Sequence, residues 1–211
     1  MLENYYTVHA EGHKEIVIQK SRFIGYVKRC ETEEHAQAFI DSVKKKHGDA
    51  NHNCSAYMIG EQNLIQKAHD DGEPSGTAGV PILEVLKRKD LKDTAVVVTR
   101  YFGGIKLGAG GLIRAYSSTA AEAIDATGIV ERQRVHTIKI IADYTMLGKL
   151  ENEIRNSNYH LSSIDYLEQV HIDVWVKTSQ EEEFTAWITD LTSGQAVIET
   201  GEFSYMERPV E

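Results

Sequence analysis

The sequence predicts an α+β protein of two domains, and three observations carry that reading. Runs of β-branched and aromatic residues alternate with amphipathic helical patterns; the pattern changes register from Val135 onward; and the remainder follows the order β-α-β-β-α-β. At 211 residues the chain is long enough to bury a core in each part. Charge divides it as well. Up to Val135 there are 18 basic and 18 acidic residues, which leaves 5 of the 23 basic and 14 of the 32 acidic residues beyond. The second part therefore carries the whole net charge of −9. Such asymmetry fits two domains with different partners, and a solvated acidic face explains it equally.

Tyr5 to Ala10, Glu15 to Gln19 and Arg22 to Arg29 read as a small antiparallel group of strands, with Ser21 and Gly25 placed to bend it. Thr32 is the expected N-cap of the next helix. Glu33 and Glu34 fill its first turn, Ala36, Phe39, Ile40 and Val43 form one face, Lys44, Lys45 and Lys46 fill the last turn, and Gly48 stops it. The lysine run is thus explained by the helix dipole, with a nucleic-acid patch as the alternative. Asn53 to Ile59 and Leu64 to Ala68 form a hairpin around Gly60 to Asn63. A helix over Thr77 to Lys89 tolerates Pro81 in its first turn. A buried strand follows from Thr94 to Phe102. Next comes a helix from Gly110 to Thr127 whose face of Leu112, Ala115, Tyr116, Thr119, Ala120 and Ala123 is small enough to lie close on a sheet.

Beyond it, strands are expected at His136 to Tyr144, Tyr159 to Leu167, Val170 to Lys177 and Ala196 to Met206, with helices at Met146 to Asn156 and Glu181 to Leu191. The domain boundary falls near residues 129 to 136, giving domains of residues 1–132 and 133–211. No apolar run reaches the length of about 18 residues that a membrane span needs, and the N-terminus lacks the order of a signal peptide, so a cytoplasmic protein with no membrane partner is expected. Cys30 and Cys54 are too few for a disulfide framework and lack zinc spacing.

Two glycine-rich loops hold the candidate chemistry: Asp70 to Gly79, and Gly103 to Gly111 after the buried strand. In the first, Asp-Gly and Glu-Pro are ordinary turn chemistry, a binding loop is the second reading, and a metal or acid-base site is disfavoured because Asp70 and Asp71 point apart on an extended segment. His52 with Cys54 makes no tetrahedral site by itself. The second loop invites a phosphate reading, because glycines before a helix offer backbone N–H groups to an anion. Nucleotide-hydrolase spacing fails, since Ala109 and Gly110 stand where Lys and Ser or Thr are required; a dinucleotide fingerprint from Gly108 meets Ile113 in place of its last glycine. Ser75, Ser117 and Ser118 lie in no nucleophile elbow. What remains is an anion cradle with Arg100, Lys106 and Arg114 around it and Tyr101 and Phe102 beside it, suited to RNA, or else a core strand ending in a turn.

The segments Asp70-Asp71-Gly72-Glu73-Pro74-Ser75-Gly76-Thr77-Ala78-Gly79 and Arg100-Tyr101-Phe102-Gly103-Gly104-Ile105-Lys106-Leu107-Gly108-Ala109-Gly110-Gly111-Leu112-Ile113-Arg114-Ala115-Tyr116 together closely resemble the IMPACT family in its bacterial, YigZ/YvyE-type form. The resemblance extends over nearly the whole chain, including Lys20-Ser21-Arg22-Phe23. It implies an N-terminal domain like the second domain of a small-subunit ribosomal protein and the fourth domain of translocation factor G. It also implies a ferredoxin-like C-terminal domain similar to the fifth domain of that factor. Eukaryotic relatives regulate translation through a kinase activator; this chain lacks their N-terminal RWD-type domain, so that partner does not transfer. The expectation is a non-enzymatic protein that binds nucleic acid, ribosomal or transfer RNA, and influences translation. Asp71, Glu73, Arg100, Tyr101, Gly103, Gly104, Lys106, Gly108 and Arg114 are the expected contacts, with no cofactor, no metal and no catalytic residue. The acidic C-terminal domain is expected either to position the first domain or to meet a protein. The rival is an enzyme or small-molecule binder that uses Gly103 to Gly111 as a phosphate cradle, as in kinases of the galactokinase and homoserine-kinase type; their Gly-Leu-Gly-Ser-Ser type motif is not reproduced here.

Overall fold

The computed structural model describes residues 2–210. Its elements, in chain order, are β1 (Asn4–Val8), β2 (Gly12–Ile18), β3 (Ser21–Arg29), α1 (Glu33–Lys46), β4 (His52–Ile59), β5 (Ile65–His69), α2 (Gly79–Arg88), β6 (Thr94–Tyr101), α3 (Gly108–Thr127), β7 (Ile129–Ala142), α4 (Tyr144–Arg155), β8 (His160–Tyr166), β9 (Val170–Lys177), α5 (Glu181–Leu191) and β10 (Val197–Pro209). Most helices and strands fall where the sequence placed them, and the α+β expectation holds; β1, expected to group with β2 and β3, pairs instead with β7, which begins at Ile129 and not at His136. The chain forms two compact units: residues up to Arg132 with those from Arg208 onward, and Gln133–Glu207.

In the first unit five strands lie in the order β2-β3-β6-β4-β5, and each neighbouring pair is antiparallel. Strand alternation divides their side chains between two cores. Phe23, Val27, Cys54, Ala56, Met58, Val96 and Val98 face α2 and α3, whereas Ile24, Tyr26, Tyr57, Ile59, Ala95 and Val97 face α1. Thr32 caps α1 as expected, its Oγ accepting from His35 N at 3.2 Å. The small-residue face of α3 is buried at each predicted position. It meets Gly25 of β3, where a Cβ would stand 2.7 Å from the Ala123 Cβ and 2.9 Å from the Thr119 carbonyl oxygen. Gly25 thus sets how closely the helix lies on the sheet.

The second unit shows the order β7-α4-β8-β9-α5-β10, with β10 beside β7 and the path β7-β9-β8 across the sheet. That is the ferredoxin-like arrangement. Ile138, Ile140, Ile172, Val174, Leu150, Ile154, Phe184 and Ile188 make its core. Residues 129 to 136, expected as the boundary, belong to β7, a single strand of 14 residues. The reason is local: Ile129, Val130 and Val135 continue the strand pattern, and Gly128 at φ 86° turns the chain directly from α3 into it. Among the described residues no helix is long and apolar enough to cross a membrane.

Candidate functional site

The two glycine loops lie at the ends of β5 and β6 and lead into α2 and α3. Asp70, the first residue after β5, closes the first loop. Its carboxylate accepts from Gly76 N at 2.8 Å, Ala78 N at 3.0 Å and Gly79 N at 2.8 Å, so it caps α2 from across the loop. Burial pulls this carboxyl up, but the three N–H donors outweigh it and hold Asp70 below the usual carboxylate range. Asp71 takes a left-handed conformation, φ 45°, and turns outward. Its carboxylate meets Lys44 Nζ at 2.8 Å and Asn53 N at 2.7 Å. Burial opposes these contacts, yet Asp71 too is held low. The Asp71 carbonyl accepts from His52 Nδ1 at 2.9 Å, which places a proton on Nδ1 and turns Nε2 toward Glu73 Oε1 at 3.8 Å.

Glu73 turns inward. Its Oε1 accepts from Arg100 Nη1 at 2.6 Å and from the Tyr116 hydroxyl at 2.8 Å, and all three side chains are buried. Tyr116 is pushed far above the usual phenol range, by burial first and by Cys54 and Glu73 next. Cys54 beside it is pushed up to about 12, chiefly by burial, so neither group is a nucleophile near neutral pH. This cluster ties the first loop, β6 and α3 together.

Between the two loops lies a cleft of about 400 Å³ lined by Asn51, His52, Glu73, Pro74, Arg100, Phe102, Lys106, Leu107, Gly108, Ala109 and Leu112. Three features give it an anion-binding character. The first turn of α3 opens onto it without a side-chain cap and without an acidic residue, so its N–H groups have no intrahelical partner. Lys106 lines it and forms no ion pair among the described residues. The Nε of Arg100, 93% buried at the side chain, has no hydrogen-bond partner, although Nη1 is held by Glu73. The Arg100 guanidinium lies 5.5 Å from the ring of Phe102, which is 45% exposed and offers a face for stacking.

Of the expected contacts, the structure brings Glu73, Arg100, Lys106 and Gly108 into this cleft. Asp71 lies behind it, positioning His52. Gly103 supports it from beneath. A Cβ there would fall 2.0 Å from the Lys20 carbonyl oxygen, and its N–H donates to Ser21 Oγ at 3.1 Å, so the β2–β3 turn and the second loop are one packed piece. Gly104 forms the open turn, φ 88°. Tyr101 points to the other face of the sheet, where its hydroxyl meets His47 Nδ1 at 2.8 Å and Asp49 Oδ1 at 3.1 Å. Arg114 lies on the outer face of α3, in a separate groove with Arg88. Sequence reasoning weighed His52 only as half of a metal pair and did not name it a contact, and it set Phe102 beside the cradle without naming it one. Phe102 was readable: residues 100 and 102 share a side of an extended segment and residue 101 does not.

Residues 19–124 match the family model described as the Impact N-terminal domain, and residues 140–195 match a domain of unknown function, DUF1949. The chain is 55% identical over its whole length to the IMPACT family member YvyE of Bacillus subtilis, covering 97% of that protein. It is 33% identical to the IMPACT family member YigZ of Escherichia coli over 84% of this chain and 88% of that one. A crystal structure of a hypothetical protein, 30% identical, superposes with a TM-score of 0.61 over 96% of this chain and 99% of that chain.

Proposed function

This chain belongs to the IMPACT family, and on that premise we propose that it is a non-enzymatic protein that binds RNA, ribosomal or transfer RNA, and so regulates translation. The observation that carries the reading is the pairing, at one cleft, of an uncapped helix N-terminus with an exposed aromatic ring. The α3 N–H groups and Lys106 suit a phosphate, and Phe102 suits an unstacked base. The likeness to domains of a ribosomal protein and a translocation factor that the family resemblance implies for the first domain favours the choice of RNA. The acidic second unit, poorly suited to phosphates, is the surface for a protein partner.

Sucrose-gradient fractionation with RNA crosslinking of the tagged full-length protein tests the reading. Co-migration with ribosomes that nuclease abolishes, and that Lys106→Ala with Phe102→Ala weakens, supports it. A saturable thermal shift with nucleotides, together with no RNA crosslink, overturns it in favour of a small-molecule site.

A further inference from the structure

Against the outer face of α3 lies a second groove, of about 730 Å³, lined by Ile18, Gln19, Arg88, Leu107, Gly111, Ile113, Arg114, Ala115, Ser117, Ser118 and Ala121. No lining residue is acidic, in a protein of net charge −9. Among the described residues its two arginines, like Arg208 of the same unit, lack a partner, and they differ in this from the four other arginines before Gln133. Arg22, Arg29, Arg100 and Arg132 each hold an acid or a carbonyl, whereas Arg88 and Arg114 have neither a hydrogen bond nor an ion pair among the described residues. Arg88 ends α2, where the dipole favours a cation but leaves its five donors free. The Ser117 hydroxyl is likewise uncommitted, and the β2–β3 turn presents Gln19 from the opposite wall.

Leu107 lines this groove and the cleft alike, so the two sites lie on either side of the first turn of α3. A mononucleotide occupies one of them; a continuous single strand occupies both. We propose that the groove is the second half of the RNA path: a single strand placed in the cleft crosses the first turn of α3, and the next phosphodiesters are bound by Arg114 and Arg88. This rests on the RNA reading of the cleft. The groove volume matches a nucleotide-sized occupant and exceeds the needs of a lone ion. Paired forks of guanidinium donors are the side chains best matched to phosphate oxygens.

The test is fluorescence anisotropy of the full chain with single-stranded oligoribonucleotides of about 4 and about 12 nucleotides. The wild type is expected to bind the longer one more tightly. The Arg88→Gln, Arg114→Gln variant is expected to lose about tenfold affinity for the longer oligonucleotide, and its salt slope to shrink by about 1.4, the loss of two phosphate contacts on a single strand. Affinity for the shorter one and the unfolding midpoint are expected to stay at wild-type values, because neither guanidinium has a partner to lose. A double variant with the wild-type length dependence and salt slope overturns the groove assignment and leaves the cleft reading standing if Lys106→Ala still weakens binding. Failure of the wild type to bind either oligonucleotide overturns both. Ribosome association that resists nuclease yet depends on Arg88 and Arg114 overturns the RNA path in favour of a protein contact.

Discussion

Arg100 Nη1 stands 2.6 Å from Glu73 Oε1, with both side chains more than nine-tenths buried. Glu73 comes from the first glycine loop and Arg100 from β6, and Tyr116 of α3 shares the same oxygen. A buried charge whose partner is removed costs far more than the pair contributes. Arg100→Ala is therefore expected to lower stability by about 3–5 kcal/mol, whereas Arg100→Met combined with Glu73→Leu recovers most of the loss. Urea unfolding of the three proteins checks this; a single variant within ~1 kcal/mol of wild type contradicts it. The same argument makes Arg100→Ala a poor probe of binding, since its effect on RNA would be confounded with unfolding.

Asp70 holds three backbone N–H groups of its own loop, and Asp70→Ala leaves them without a partner at the start of α2. A loss of about 1–2 kcal/mol is expected, the scale of a helix cap. Since the folded carboxyl lies below its unfolded value, its contribution is fully present above about pH 4 and is lost as pH falls through the folded value. In the variant the acid limb of the stability curve should be shallower, which thermal unfolding across that range measures.

On the α1 face, the Tyr101 hydroxyl donates to Asp49, so it accepts from His47 Nδ1, and His47 Nε2 accepts from the Tyr26 hydroxyl at 2.7 Å. The ring is thus held neutral, with its pKa lowered by burial and then by Lys46. A folded value below the unfolded one means that stability is full above about pH 6.5 and declines as pH drops through the folded value. His47→Gln is expected to remove that part of the pH slope. Equal slopes in variant and wild type between neutral and mildly acidic pH contradict the assignment.

Phe102 is the exposed ring of the cleft. Its replacement by Ala should cost about 1–3 kcal/mol of binding per stacked base and leave the salt slope unchanged, while Lys106→Ala should reduce the slope. Salt titrations of the two variants separate stacking from charge.

Gly103→Ala places a methyl group against the Lys20 carbonyl, at a position where backbone must move. Destabilisation above ~2 kcal/mol and weakened RNA binding are expected together, because the β2–β3 turn and the second loop shift as one.

Secondary structure was legible because periodicity carries it: the buried face of α3 and the cap of α1 follow from spacing alone. The cleft was legible in part. Glycines at 103, 104 and 108 flagged the loop, but which side chains share a face depends on where β6 ends and α3 begins. Helix α3 starts at Gly108, two residues before the expected Gly110, and β6 ends at Tyr101. The Arg100–Glu73 pair was out of reach, because residues 27 apart in sequence meet only once the sheet is assembled. Arg114 was grouped with the cradle by proximity in sequence, and the helical turn carries it to the outer groove.

Strands β7 and β10 each run through a unit boundary, at Arg132 and at Arg208, and Val210 N bonds to Ile129 O within the first unit. Topologically, the ferredoxin-like module is an insertion and not an appendage. A stop codon after residue 132 would cut a strand and discard the partner of Ile129. Excising the module cleanly calls for a short splice from Arg132 to Arg208.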